Sequence, residues 1–136
     1  MSLTEESRRV VLQWIDCVVE GRFDDLIALG APNATWWVSG LKETSPLIGT
    51  YPYAEREKQL KELLQEAITF TFTVRGITAE GDTVVVEGAP RMEAQDGRIY
   101  ANDVMMKFVV KDGKIQSLRE YVDCLAVLKF TGAKAT

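Results

Sequence analysis

Apolar residues open the chain at helical spacing: Val10, Val11, Trp14, Ile15, Val18 and Val19 share one broad face. Ser2 and Glu5 have the spacing of a capping box just before them, and Gly21 follows as a stop. The pattern predicts a first helix from Thr4 to Glu20. A shorter helix follows over Phe23 to Leu29, with Phe23, Leu26 and Ile27 on one face, and Gly30-Ala31-Pro32-Asn33 ends it. Thr35-Trp36-Trp37-Val38 has the aromatic and β-branched composition of a short strand. Ser39 to Pro52 reads as a loop. Tyr53 to Ala67 returns to helical spacing, with Leu60, Leu63, Leu64 and Ala67 turned inward and charges over the rest.

Beyond this point the period changes to two. Thr and Phe alternate over Thr69 to Ile77, Glu80-Gly81-Asp82 turns, and Thr83 to Met92 forms the next strand. Gln95-Asp96-Gly97 turns again. Ile99 to Val110 and Lys114 to Val122 then flank Asp112-Gly113, a pair that suits a tight hairpin because both residues tolerate positive φ. Cys124 to Phe130 fits either a short helix or a last strand segment, with Asp123 placed to cap it. Fraying is expected from Lys134 onward. Three helices followed by a long antiparallel meander predict an α+β fold, with the helices on one face of a curved sheet.

Composition narrows the classes. A chain of 136 residues, 46% of them apolar, is expected to form a single domain spanning 1–136 with its own core. A net charge of −4 argues against nucleic acid as a partner. No apolar run approaches the roughly 20 residues that span a bilayer, and the N-terminus lacks the features of a signal peptide, so no membrane partner and a cytoplasmic location are expected. The chain has no histidine, which argues against a zinc or haem site and excludes Ser-His and Cys-His nucleophile pairs. No metal and no cofactor are expected. Of the two cysteines, Cys17 lies one turn beyond Trp14 and reads as a small buried hydrophobe.

Three stretches in order carry a family resemblance. They are Asn33-Ala34-Thr35-Trp36-Trp37, then Glu80-Gly81-Asp82-Thr83-Val84-Val85-Val86-Glu87, then Asp112-Gly113-Lys114-Ile115 through Arg119-Glu120-Tyr121-Val122-Asp123. With the order of elements they resemble the SnoaL-like branch of the nuclear-transport-factor-2-like superfamily, over nearly the whole chain. That group includes ketosteroid isomerases, limonene epoxide hydrolase, polyketide cyclases and scytalone dehydratase. The resemblance implies a cone, in which a curved sheet wraps a cavity closed by helices, and a homodimer formed through the outer sheet face. Fold alone does not carry chemistry. The three working groups of ketosteroid isomerases correspond here to Trp14, Val38 and a position near Val104 or Met105, so all three are missing and that isomerisation is rejected. The Arg-x-Asp of limonene epoxide hydrolase lines up near Gly88-Ala89-Pro90, and that triad is missing too.

One acid survives. In polyketide cyclases and limonene epoxide hydrolase a catalytic acid lies five places after the Ile of Gly-Lys-Ile, and the resemblance puts Glu120 there. Strand alternation sets Leu118, Glu120 and Val122 on one face, so Glu120 would be a carboxylate among apolar walls, with its pKa raised by desolvation and poised for acid–base work. Its bland alternative is a salt bridge to Arg91, Arg119 or a neighbouring basic group. Asn102, Val104, Met106 and Phe108 share a face of the partner strand. Met106 stands where many polyketide cyclases resemble each other in carrying aspartate, and Asn102 could orient a carbonyl or simply bond backbone. Glu87 faces inward, opposite Met106, if Asp96-Gly97 is a two-residue loop, and outward if the loop is one residue longer. Trp14, Trp36, Trp37, Tyr51, Tyr53 and Tyr100 are an aromatic surplus near the expected cavity, mostly core. Trp36, on the face of Val38, could stack on a flat ligand.

The expected ligand is a small apolar molecule bearing a ring or carbonyl. Three functions fit: a cofactor-independent isomerase, cyclase, dehydratase or hydrolase using Glu120; a non-catalytic binding or accessory protein of the same fold; or a structural, partner-binding domain.

Overall fold

A computed structural model describes residues 1–132, the side chain of Thr44 excepted; the fraying expected from Lys134 onward lies outside the described residues. The first helix, α1, spans Leu3–Glu20. Ser2 Oγ accepts from Glu5 N at its start, and Gly21 closes it with φ 71°. α2 covers Phe23–Ala28 and leads directly into β1, Gly30–Val38, which is longer than the short strand that composition suggested. The expected loop contains a 3-10 turn at Lys42–Thr44 and a strand, β2, at Gly49–Pro52. α3 follows at Tyr53–Gln65.

The remaining strands are β3 (Ala67–Glu80), β4 (Thr83–Ala94), β5 (Ile99–Ala101), β6 (Val104–Lys111) and β7 (Lys114–Tyr121). The seven form one sheet in the order β2-β1-β7-β6-β4-β3, with β5 beside β4. All neighbours are antiparallel except β1 and β7, which run parallel. The Asp112-Gly113 hairpin takes positive φ at both residues, 52° and 73°, and pairs Lys111 with Lys114. The segment left open between helix and strand is a helix, α4, at Cys124–Thr131, with Asp123 Oδ1 accepting from Leu125 N.

The strand expected over Ile99 to Val110 is broken at Asn102-Asp103. The Asn102 N–H still donates to Pro90 O (3.2 Å), but its side chain turns toward α4: its Oδ1 accepts from Asp103 N (2.8 Å) and Asp123 N (3.0 Å), and its Nδ2 donates to Asp123 O (3.1 Å) and the Tyr100 hydroxyl (2.8 Å). This clasp holds the start of α4 against β5.

The core lies between α1 and the inner sheet face, around Val10, Val11, Trp14, Val84, Val86, Phe108 and Leu118. Phe70 and Phe72 on β3 pack against it, while Thr69, Thr71 and Thr73 face outward. α3 differs from its expected face. Leu60 and Leu64 pack against the core, but Leu63 is 39% exposed and the fully buried side chains are Tyr53, Arg56 and Glu57. The leucine stripe, followed back one turn, ends at two buried ionisable side chains, Arg56 and Glu57. Among the described residues no helix is long and apolar enough to cross a membrane.

Candidate active site: an acid at the wall of an aromatic cavity

Parallel pairing of β1 with β7 aligns Val38 with Glu120 and Trp36 with Leu118, and the β6 register sets Met106 against Glu120. Trp36 and Val38 of β1 and Leu118 and Glu120 of β7 therefore share the inner face, while nearer the hairpin a bulge between Ile115 and Ser117 leaves Ile115 as the buried residue. A cavity of about 480 Å³ opens on this face. Trp36, Val38, Glu120 and Val122 of the sheet side form its floor, Tyr100 lies beside them, Arg56, Gln59, Leu60 and Leu63 come from α3, and the buried Val127 and Phe130 from α4.

Glu120 is half-buried. One carboxylate oxygen accepts from Trp36 Nε1 at 3.1 Å; the other has no hydrogen-bond partner among the described residues. Burial raises its pKa, against the opposing pull of the Trp36 N–H and of the Arg56 charge. Neither Arg91 nor Arg119 pairs with it: the Arg119 guanidinium lies on the other face of the sheet, 3.9 Å over the Trp37 ring.

A second carboxyl lies behind the floor. Glu57 is 0% exposed, and Trp14 Nε1 donates to its Oε1 at 3.3 Å, while Oε2 is buried without a partner. Burial pushes its pKa up to about 8, with Glu120 adding in the same direction and the neighbouring Tyr53 and Trp14 opposing. Tyr53 spends its own proton on Leu26 O at 2.7 Å, and its ring covers Gly30, where a Cβ would collide with it. The two indoles that hold these acids meet edge to face, with centroids 5.8 Å apart. Burial also raises the pKa of Tyr100. Arg56 is 4% exposed and its pKa is lowered by burial. Among the described residues no group of three His, Cys, Asp or Glu side chains could hold a metal ion.

Of the residues singled out in the sequence, Trp36, Val38 and Glu120 meet at the cavity floor. Trp14 and Tyr53 form the layer beneath, around Glu57. Val104, Met106 and Leu118 fill the core. Asn102 is committed to its clasp and does not line the cavity. Glu87 is exposed and pairs with Met105, not Met106. The reason is loop length: Ala94 N bonds Arg98 O, so Gln95-Asp96-Gly97 is a three-residue loop with Gly97 at φ 88°, and the extra residue turns Glu87 outward. Arg56 and Glu57 were missed. For Glu57 a signal was available, because Tyr53, Glu57, Leu60 and Leu64 lie at i, i+4, i+7 and i+11, one continuous stripe, but that stripe does not include Arg56.

The model of the SnoaL-like domain family matches residues 11–118. The chain belongs to the SnoaL-like family. No curated protein matches this SnoaL-like chain in sequence. Solved structures similar to it include an NTF2-like protein from Burkholderia xenovorans, 24% identical over 94% of this chain and 97% of that one, with a TM-score of 0.74. An M. tuberculosis LEH-like epoxide hydrolase is 18% identical over 95% and 92%, with a TM-score of 0.76. TerC, co-crystallised with polyporic acid, is 17% identical over 93% and 98%, with a TM-score of 0.78. At these identities the likeness is one of fold. It agrees with the α+β architecture of a curved sheet behind helices, here with a fourth helix, α4.

Proposed function

We propose that this SnoaL-like chain binds a small apolar molecule, carrying a ring or a carbonyl, in the 480 Å³ cavity, and that Glu120 acts there as a cofactor-independent acid or base. The observation that carries this is a carboxyl at the floor of an otherwise largely apolar, aromatic cavity, with one oxygen steered by Trp36 and the other unpaired. A group so placed can exchange a proton with a bound molecule in an isomerisation, cyclisation, dehydration or hydrolysis. Trp36 and Val38 would contact the ligand. The epoxide hydrolase and TerC, among the similar structures, support a cavity of this use.

Binding without reaction is favoured by one observation. The Trp14 N–H is spent on Glu57 and the Asn102 amide on Asp123 and Tyr100, so few polar groups remain to orient a reacting carbonyl. Native mass spectrometry of protein purified from cell extract tests the shared premise. A mass increment of a few hundred daltons that disappears in the Trp36→Ala variant is expected; protein free of any retained molecule after gentle purification from every extract tried counts against a cavity ligand.

A second copy of the chain is proposed as the partner. The apolar side of β3 is already covered by the chain's own core, so the contact is assigned instead to the outer face of β1, β6 and β7. There Met105 (47% exposed) pairs in register with Tyr121 (46% exposed), whose ring meets Trp37 at 5.0 Å. An isologous contact would cover this patch on both copies at once. Sedimentation at micromolar concentration should give a dimer that Tyr121→Glu dissociates; a monomer in the unmodified chain would refute it.

A further inference from the structure

Arg56 enters the cavity wall as a buried cation whose contacts satisfy geometry but not charge. Nη1 donates to Gln59 Oε1 at 3.1 Å and Nη2 to Gly49 O at 3.0 Å, and the Tyr51 ring lies 4.2 Å from the guanidinium carbon. All three partners are neutral. A guanidinium carries five N–H donors, and Nε–H is buried with no partner. Among the described residues no carboxylate stands within ion-pair distance of it. Glu120 is the carboxyl that acts on it electrostatically, and burial favours the neutral acid there. A buried charge left unmatched is costly, and an anion that enters the same space relieves that cost.

We infer that Arg56 is the anion-recognition residue of the cavity, and that the ligand is a flat apolar molecule bearing one acidic oxygen, a carboxylate or an enolate. The oxygen would pair with the guanidinium while the ring lies against Trp36, across the floor from Glu120. This rests on the ligand-binding reading above and adds the charge of the ligand to it. Glu62 and Glu66 also border the cavity, but both are exposed at its rim, where water and salt screen them. Arg56 is buried, and the same charge acts more strongly there. A purely structural role, tying α3 to β2 through Gly49 O, makes a different prediction: its loss would weaken charged and neutral ligands alike.

Two probes of equal shape separate these cases. 2-Naphthoate and 2-naphthamide differ in charge and not in ring, and each can be titrated calorimetrically at neutral pH into the full chain, Arg56→Met and Arg56→Lys. The unmodified chain should prefer the acid by about 10- to 100-fold, the worth of a charge-assisted hydrogen bond. Arg56→Met should abolish the preference, weakening the acid far more than the amide, and Arg56→Lys should recover part of it. Equal affinity for acid and amide in the unmodified chain overturns the inference and leaves the cavity as a ligand site. A preference that persists in Arg56→Met places the anion elsewhere and also overturns it. Binding of neither probe overturns both this inference and the ring-binding reading beneath it. Should Arg56→Met fail to fold, the acid-to-amide ratio in the unmodified chain and in Arg56→Lys still decides.

Discussion

Glu120→Gln is expected, on the catalytic reading proposed above, to cut turnover by roughly 10²–10⁴, the usual worth of a positioned acid or base, and to leave the fold intact. The amide keeps the shape of the side chain, and its oxygen can still accept from Trp36 Nε1, the 3.1 Å bond that steers the carboxyl. What it loses is the ability to take up and return a proton. Burial holds the pKa of Glu120 above the ordinary carboxylate value, the direction an acid–base role calls for. Single-turnover kinetics on the molecule identified by native mass spectrometry is the measurement. Unimpaired turnover in the Gln variant would remove Glu120 from the chemistry. A protein that only binds would turn nothing over in either form, and its affinity would move by a smaller factor.

Stability should fall as pH rises from mildly acidic to mildly alkaline, and Glu57 should be the main cause. Its folded pKa of about 8 stands above the 4.5 of an unperturbed glutamate. A carboxyl raised on folding contributes stability that is complete below the unfolded value. That contribution is lost as pH climbs through the folded value. The window is therefore about 4.5 to 8. At about 1.4 kcal/mol per pKa unit, the loss across it is on the order of 5 kcal/mol at most, a large share of the total for a domain of this size. Glu120, raised by the same cause, adds in the same direction. The structural origin is plain: a side chain with 0% exposure, held by one indole N–H, with its second oxygen buried and unpartnered. Protonation turns that oxygen into a donor beside Tyr53 and removes the uncompensated charge. Urea midpoints measured at pH 5.5 and 8.5 should differ strongly in the unmodified chain and much less in Glu57→Gln, which mimics the neutral acid. Equal slopes in the two proteins would mean that Glu57 is ionised at little cost.

What could be read from residues alone were the features that depend on near neighbours. Ser2 and Gly21 bound α1 because capping needs only a side-chain oxygen three residues ahead and a left-handed residue behind. Asp112-Gly113 makes its tight turn for an equally local reason, and Glu120 shares the inward face of Leu118 by alternation, although a bulge between Ile115 and Ser117 breaks the count back to the turn. The SnoaL-like resemblance also stands, since it rests on the order of such elements. Tertiary structure decided the rest. Trp36 and Glu120 are 84 residues apart and meet because β1 runs parallel to β7, a pairing that no local pattern specifies. The face of Glu87 hung on one residue of loop length, and the long strand after it was split at Asn102, whose side chain bonds Asp123, 21 residues away. The burial of Arg56 is the sharpest case. A charge on a helix is expected in water, and Arg56 lies inward because the turn that carries it lines the cavity.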